Sequence, residues 1–171
     1  MLILFRHAKS SWDFPELEDF DRPLSNRGQK AAPRMAAWLA ETGLIPDHII
    51  CSASRRTRQT LDLALPFWKP TPTIDYAEAL YHASPETLLT IAHDAPHAAR
   101  DVMIVGHNPG LEAFATRMIG SGDKKTRLAL ASKFPTAAVA VITFETDSWA
   151  KIALASGHLA HFITPKQLKR D

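Results

Sequence analysis

Three short apolar runs, spaced by helix-patterned segments, constrain the fold most. Leu2-Ile3-Leu4-Phe5, Ile49-Ile50-Cys51 and Val102-Met103-Ile104-Val105 are continuous rather than alternating, as strands buried on both faces are. Between the first two lies a segment with Met35, Trp38 and Leu39 at i, i+3 and i+4, which predicts a helix over Asn26–Glu41, capped by Ser25 and ended by Gly43. Pro33 predicts that this helix starts late or bends. Arg55–Leu65 reads as a helix stopped by Pro66, Pro85–His93 as a helix opened by Ser84, and Gly110–Ile119 as a third such helix. Arg6–Arg22 reads as a long polar loop and Lys69–Tyr81 as a proline-rich stretch that becomes extended. Two β-rich runs, 137–145 and 151–163, close the chain around a turn at Asp147-Ser148. Strands separated by helices predict an α/β fold of three layers, α/β/α, with a mostly parallel central sheet.

No repeat or linker divides the 171 residues, so residues 1–171 read as a single domain, a usual length for one. Such a chain buries about 70% of its unfolded surface and needs no disulfide or metal to hold it. One cysteine, Cys51, excludes an intrachain disulfide and makes a cytoplasmic address the default. The opening apolar run is stopped by Arg6, too short for a signal peptide, and no run reaches the ~18 residues of a membrane span.

In parallel sheets ligands sit beyond the carboxyl ends of the strands. Those ends carry Arg6-His7, Ser52 followed by Arg55-Arg56, and Gly106-His107-Asn108. Two histidines and up to three arginines thus converge on one edge. Arginine's planar fork matches phosphate oxygens in pairs. Histidine titrates near neutrality, so one ring can serve as a neutral nucleophile while another stays cationic and donates. Gly110 opens a helix whose free N–H groups favour an anion.

At these residues the chain resembles the histidine phosphatase (phosphoglycerate-mutase-like) superfamily. Arg6-His7-Ala8 is similar to its Arg-His-Gly signature, and Ser52-Ala53-Ser54-Arg55-Arg56-Thr57-Arg58-Gln59-Thr60 to its Ser-Pro-x-x-Arg-Ala-x-Gln-Thr motif. Gly106-His107-Asn108 matches the late Gly-His motif, and Asp21-Arg22-Pro23-Leu24-Ser25-x-x-Gly28 the segment before the first helix. The resemblance covers nearly the whole chain and, from its short length, lies closest to the SixA-type phosphohistidine phosphatases. Ala8 departs from the family glycine. Ala53 and Thr57 depart from Pro and Ala, with little chemical consequence expected.

The resemblance implies a phosphoglycerate-mutase-like sheet and a metal-independent phosphatase without a cofactor. His7 is then the nucleophile, with Arg6, Arg56 and His107 on the phosphoryl oxygens, Arg56 rather than Arg55 being the clamp. Glu78, in Glu78-Ala79-Leu80-Tyr81-His82, loosely resembles the acid of larger members. Lys9, Ser10, Arg22 and Asn108 are candidate substrate contacts, although Arg22 can equally pair with Asp19 or Asp21. The implied substrate is a phosphohistidine protein or a related phosphorylated molecule. A small phosphomonoester, or a phosphate-binding module without turnover, is the alternative.

Other readings are weaker. Arg55, Arg56, Arg58 and the tail Lys166, Lys169 and Arg170 are basic, but no aromatics interleave with them. The net charge is only +2, so a nucleic-acid partner is not expected, nor is a membrane. His93 and His97 stand i, i+4 without a third ligand, which predicts no metal site. His82 alone among the remaining histidines is placed to line the site. Cys51 misses the Cys-x5-Arg spacing of cysteine phosphatases by one residue and reads as an inert core thiol.

Overall fold

A computed structural model describes residues 1–169; Arg170, Asp171 and the side chain of Lys169, named above among the tail cations, lie outside the described residues. Among these residues seven strands form one sheet: β1 (Leu2–Arg6), β2 (His48–Ser52), β3 (Thr73–Ala77), β4 (Val102–Gly106), β5 (Ile119–Gly122), β6 (Val139–Thr143) and β7 (Gly157–Ile163). Their order is β3-β2-β4-β1-β6-β7-β5. The first four in that order are parallel, β6 is antiparallel to both β1 and β7, and β5 is parallel to β7.

Among the described residues five α-helices cover the sheet: α1 (Asn26–Glu41), α2 (Arg55–Ala64), α3 (Pro85–His93), α4 (Gly110–Met118) and α5 (Lys124–Ser132). Alternation within each strand supplies two cores. Leu2, Leu4 and Ile104 pack with Leu88, Phe114 and Leu130 of α3, α4 and α5. Ile3, Phe5, Met103 and Cys51 pack with Met35, Leu39 and Leu61 of α1 and α2. Both strand faces are therefore buried, which is why these runs are uniformly apolar.

Three expectations change. α1 runs unbroken through Pro33: the proline removes the amide that would bond the Gln29 carbonyl, but Gln29 is exposed, so solvent can satisfy it. α2 gives way at Leu65 to a 3-10 turn that passes through Pro66. β7 begins at Gly157 rather than at Lys151: Lys151 ends a 3-10 turn, Trp149–Lys151, and residues 152–156 form no strand. β5 and α5 had no counterpart in the sequence reading. Asp123 caps α5 by accepting from the Thr126 amide at 2.8 Å, the ordinary role of an N-cap carboxylate. Among the described residues no helix is long and apolar enough to cross a membrane.

Candidate active site

Register sets the site. Arg6 lies opposite Gly106, Cys51 opposite Val105 and Ser52 opposite Ala77, so the carboxyl ends of β1, β4, β2 and β3 are level. The residues that follow them, His7, His107 and Arg56, are brought into one buried cluster. The two imidazole centroids are 5.1 Å apart.

The segment after β1 is held from two sides. The Ala8 amide donates to Thr60 Oγ1 at 2.9 Å, and Thr60 Oγ1 donates to the Arg56 carbonyl. Gln59 Oε1 takes the Leu24 amide at 2.8 Å. The Gln-Thr of the second motif thus fixes the backbone around the nucleophile candidate rather than touching a phosphoryl group. Ser25, the α1 cap, donates to the Lys9 carbonyl from both its amide and its hydroxyl. Gly28 is required there, since a Cβ would stand 2.2 Å from the Lys9 oxygen.

His7 donates Nδ1–H to the Ala8 carbonyl at 2.7 Å. Nε2 therefore carries the lone pair, and Arg56 Nε points at it from 3.4 Å. Burial pushes the His7 ring down to about 3, aided by the charges of His107, Arg56 and Arg6 and opposed by the Ala8 bond. The ring is neutral at physiological pH. On the other side Arg56 Nη2 reaches His107 Nδ1 at 3.4 Å, and His107 Nε2–H donates to Ser52 Oγ at 2.8 Å. Burial, then the Arg56 charge, pushes His107 down to about 3 as well. The expectation that the second histidine stays cationic is therefore corrected: the protein's own groups keep both rings neutral. A phosphoryl dianion beside His107 would favour its protonated form.

Arg56 also donates from Nη1 to the Asp19 carbonyl at 2.6 Å and from Nη2 to Asp19 Oδ2 at 3.1 Å. Asp19 stands in a 3-10 turn, Asp19–Asp21, and gathers three more groups. Tyr81 donates its hydroxyl at 2.5 Å, Arg22 holds Oδ1 at 2.8 and 3.1 Å, and His82 Nε2 is 3.9 Å from Oδ2. Burial pushes the Asp19 carboxyl up. The hydrogen bonds from Tyr81, Arg56 and Arg22, with the Arg56 charge, outweigh it and hold Asp19 well below the carboxylate range. Asp19 and Tyr81 were missed from sequence. The one available signal was the Asp19–Arg22 spacing, read as an optional surface pair.

The remaining candidates separate. Arg6 Nη1 donates to the Phe134 carbonyl at 2.8 Å, while its buried Nε has no partner among the described residues. Asn108 spends its amide hydrogens on Glu112 and Phe134, leaving a buried Oδ1 without one. Glu112 also takes the Phe134 amide, so it ties the loop before β6 to the site. Arg55 is exposed, with a 3.4 Å contact to the Asp21 carbonyl. Lys9 is exposed, and Ser10 is buried and bridged to Leu24. Arg22 lies over the Trp12 ring, 3.7 Å from its centroid, as well as on Asp19. Glu78 is exposed at the start of a 3-10 turn and makes no recorded side-chain hydrogen bond or ion pair to the cluster among the described residues. Thr57, expected to be inconsequential, bonds the Ser52 carbonyl and Ser54 Oγ, both at 2.7 Å. His82 borders a cleft of about 370 Å³ shared with His107, Pro85, Pro109 and Ala113. Of the other features, His93 is bonded to the Ile152 carbonyl, and burial pushes the Cys51 thiol up to about 12.

The arrangement offers a neutral imidazole nitrogen, two arginines and a second imidazole around one point, a set that fits a phosphoryl group. Comparison with known proteins gives the same direction. The model of the histidine phosphatase superfamily (branch 1) matches residues 2–81. An uncharacterised protein of Mycobacterium leprae is 31% identical over 165 residues, covering 94% of this chain and 99% of that one. A solved structure from Agrobacterium tumefaciens, provisionally named the phosphohistidine phosphatase SixA, is 33% identical with a TM-score of 0.80, covering 96% of this chain and 97% of that one. A second, from Nakamurella multipartita and provisionally named the same way, is 27% identical with a TM-score of 0.83, covering 96% and 95%.

Proposed function

The chain belongs to the histidine phosphatase superfamily, and from that premise we propose that it is a phosphatase acting through phospho-His7, with phosphohistidine protein as its substrate class. The observation that carries the reading is the His7 tautomer. With Nδ1–H committed to the Ala8 carbonyl, Nε2 can attack phosphorus in line. The bond from phosphorus to the leaving group breaks as the P–Nε2 bond forms, and water then cleaves P–Nε2 to release phosphate. Arg6, Arg56 and His107 hold the equatorial oxygens, where charge is spread in the transition state. No metal enters these steps.

The carboxylates support this substrate class. Asp19 is held ionised by its donors, and Glu112 accepts from Asn108 and the Phe134 amide. Asp19 therefore holds no proton for a departing alkoxide. A phosphohistidine leaving group needs none from the protein, since its imidazole can arrive protonated. The cleft beside His107 then receives that ring.

The test is turnover with EDTA present, using p-nitrophenyl phosphate, a phosphohistidine peptide and alkyl phosphates. The expected result is sustained release from the first two and slow release from the last. His7→Ala should lose more than the 10²–10⁴-fold associated with a single acid–base group while keeping the fold. Acid-labile, alkali-stable label should be trapped on the wild type and absent from the variant. Stoichiometric phosphate binding without release would instead indicate a binding module.

A further inference from the structure

Two clefts flank residues 164–167, one of about 690 Å³ against α5 and one of about 190 Å³ against α1, and both include Lys166. Arg27, Lys30, Arg34, Lys125, Lys133 and Lys166 line them, and among the described residues no carboxylate does. Across the sequence 20 cations face 18 anions, so six to none is a local segregation rather than a reflection of composition. Among the described residues none of the six takes part in an ion pair. Asp123, the α5 cap, feels the Lys125 charge, but the lining itself carries one sign, and such a concentration creates a positive potential that attracts an anionic partner.

Chain segments join the band to the His7 cluster at both ends. Lys133 precedes Phe134, whose carbonyl takes Arg6 Nη1. Arg27 lies in the first turn of α1, whose cap Ser25 bonds the Lys9 carbonyl two residues after His7. We propose that this band is the docking surface for an acidic segment of the phosphorylated protein whose phosphoryl group enters the His7 site; the partner's identity as a phosphoprotein rests on the function proposed above. A nucleic acid is disfavoured because the lining has no exposed aromatic platform, Phe162 being buried. A lipid surface is disfavoured because none of the exposed large apolar side chains lines either cleft. Long-range attraction to an acidic segment speeds encounter and selects partners more than it deepens affinity.

The probe is an unphosphorylated, fluorescein-labelled peptide of alternating Glu and Ser, followed by anisotropy at low and at physiological salt. The wild type should bind it, and more weakly as salt shortens the screening length to about 8 Å. The combined variant Lys30→Glu, Lys125→Glu, Lys166→Glu should bind about tenfold or more weakly and keep its p-nitrophenyl phosphate turnover, which also reports its folding. Lys166→Gln alone gives a smaller loss in the same direction. Equal binding by wild type and variants overturns the proposal. So does an absence of peptide binding, whether or not polyuridine RNA or phosphatidylserine vesicles bind instead. Peptide binding needs no catalysis, so failure of the phosphatase reading shows separately, as absent turnover in a protein that still binds the peptide.

Discussion

Arg56 illustrates what the residue scale can and cannot hide. Its place in the second motif was legible, and the structure buries it between the two imidazoles while leaving Arg55 exposed. Its partner Asp19 was not legible, because the contact spans 37 positions and nothing local marks the carboxylate as more than a helper of Arg22. Arg56 serves His7, His107 and Asp19 with three separate nitrogens, which a lysine cannot imitate. Arg56→Lys should therefore lower kcat/KM about 10²-fold or more, the cost of one preorganised donor. Arg55→Lys should stay near wild type in the same assay, and the reverse order would place the clamp one residue earlier. Glu78 is the sequence candidate for the acid, and its exposed position argues for a small role. Glu78→Gln should change alkyl phosphate, phosphohistidine and p-nitrophenyl phosphate rates alike and by less than about tenfold. A selective loss of about 10²-fold on alkyl phosphate alone would restore it as the general acid.

At the scale of elements, strong patterns were readable and weak ones were not. β1, α1 and β4 announce themselves through continuous apolar runs or a capped amphipathic period. β5 reads Ile-Gly-Ser-Gly, where two glycines mimic a loop. α5 buries only Leu130 and exposes Leu128, so it shows no apolar face in sequence. The meeting of α4 with the segment after β3 gives a discriminating pair. A Cβ on Gly110 would stand 2.0 Å from the Ala83 carbonyl oxygen, whereas on Gly106 it would meet only side-chain atoms at 3.8 Å or beyond. Gly110→Ala should destabilise the protein by about 1–3 kcal/mol, as overpacking does, and lower turnover by displacing the segment that carries His82. Gly106→Ala should cost much less on both measures, although it too falls within the late motif. Thermal midpoints and p-nitrophenyl phosphate rates of the two variants decide the matter.

The whole molecule carries the cost of burying two neutral imidazoles. Both are held at about 3 when folded and return to about 6.5 when the chain unfolds. Below pH 6.5 the unfolded chain therefore binds protons that the folded chain refuses. Stability is complete above that pH and falls as pH drops toward 3, by up to about 1.4 kcal/mol per pH unit for each ring. Asp19, depressed by its donors, adds a loss of the same sign at lower pH, reduced by its exposure. Urea midpoints should decline between pH 7 and pH 4.5, and the decline should be shallower in His7→Gln, His107→Gln. An unchanged slope would mean that the rings are not held neutral. The sheet order has a consequence for synthesis. β1 sits between β4 and β6, yet it is made long before either. At about 5–20 residues per second, its apolar run waits several seconds for β4 and longer for β6. A chain interrupted after Leu130 already contains His7, Arg56 and His107, but it lacks the Phe134 carbonyl that takes Arg6 and the strand that closes the far side of β1. The ribosome thus completes the residues of the candidate site well before the nascent chain can assemble it, and the apolar strand that leads into His7 spends that interval without its sheet neighbours.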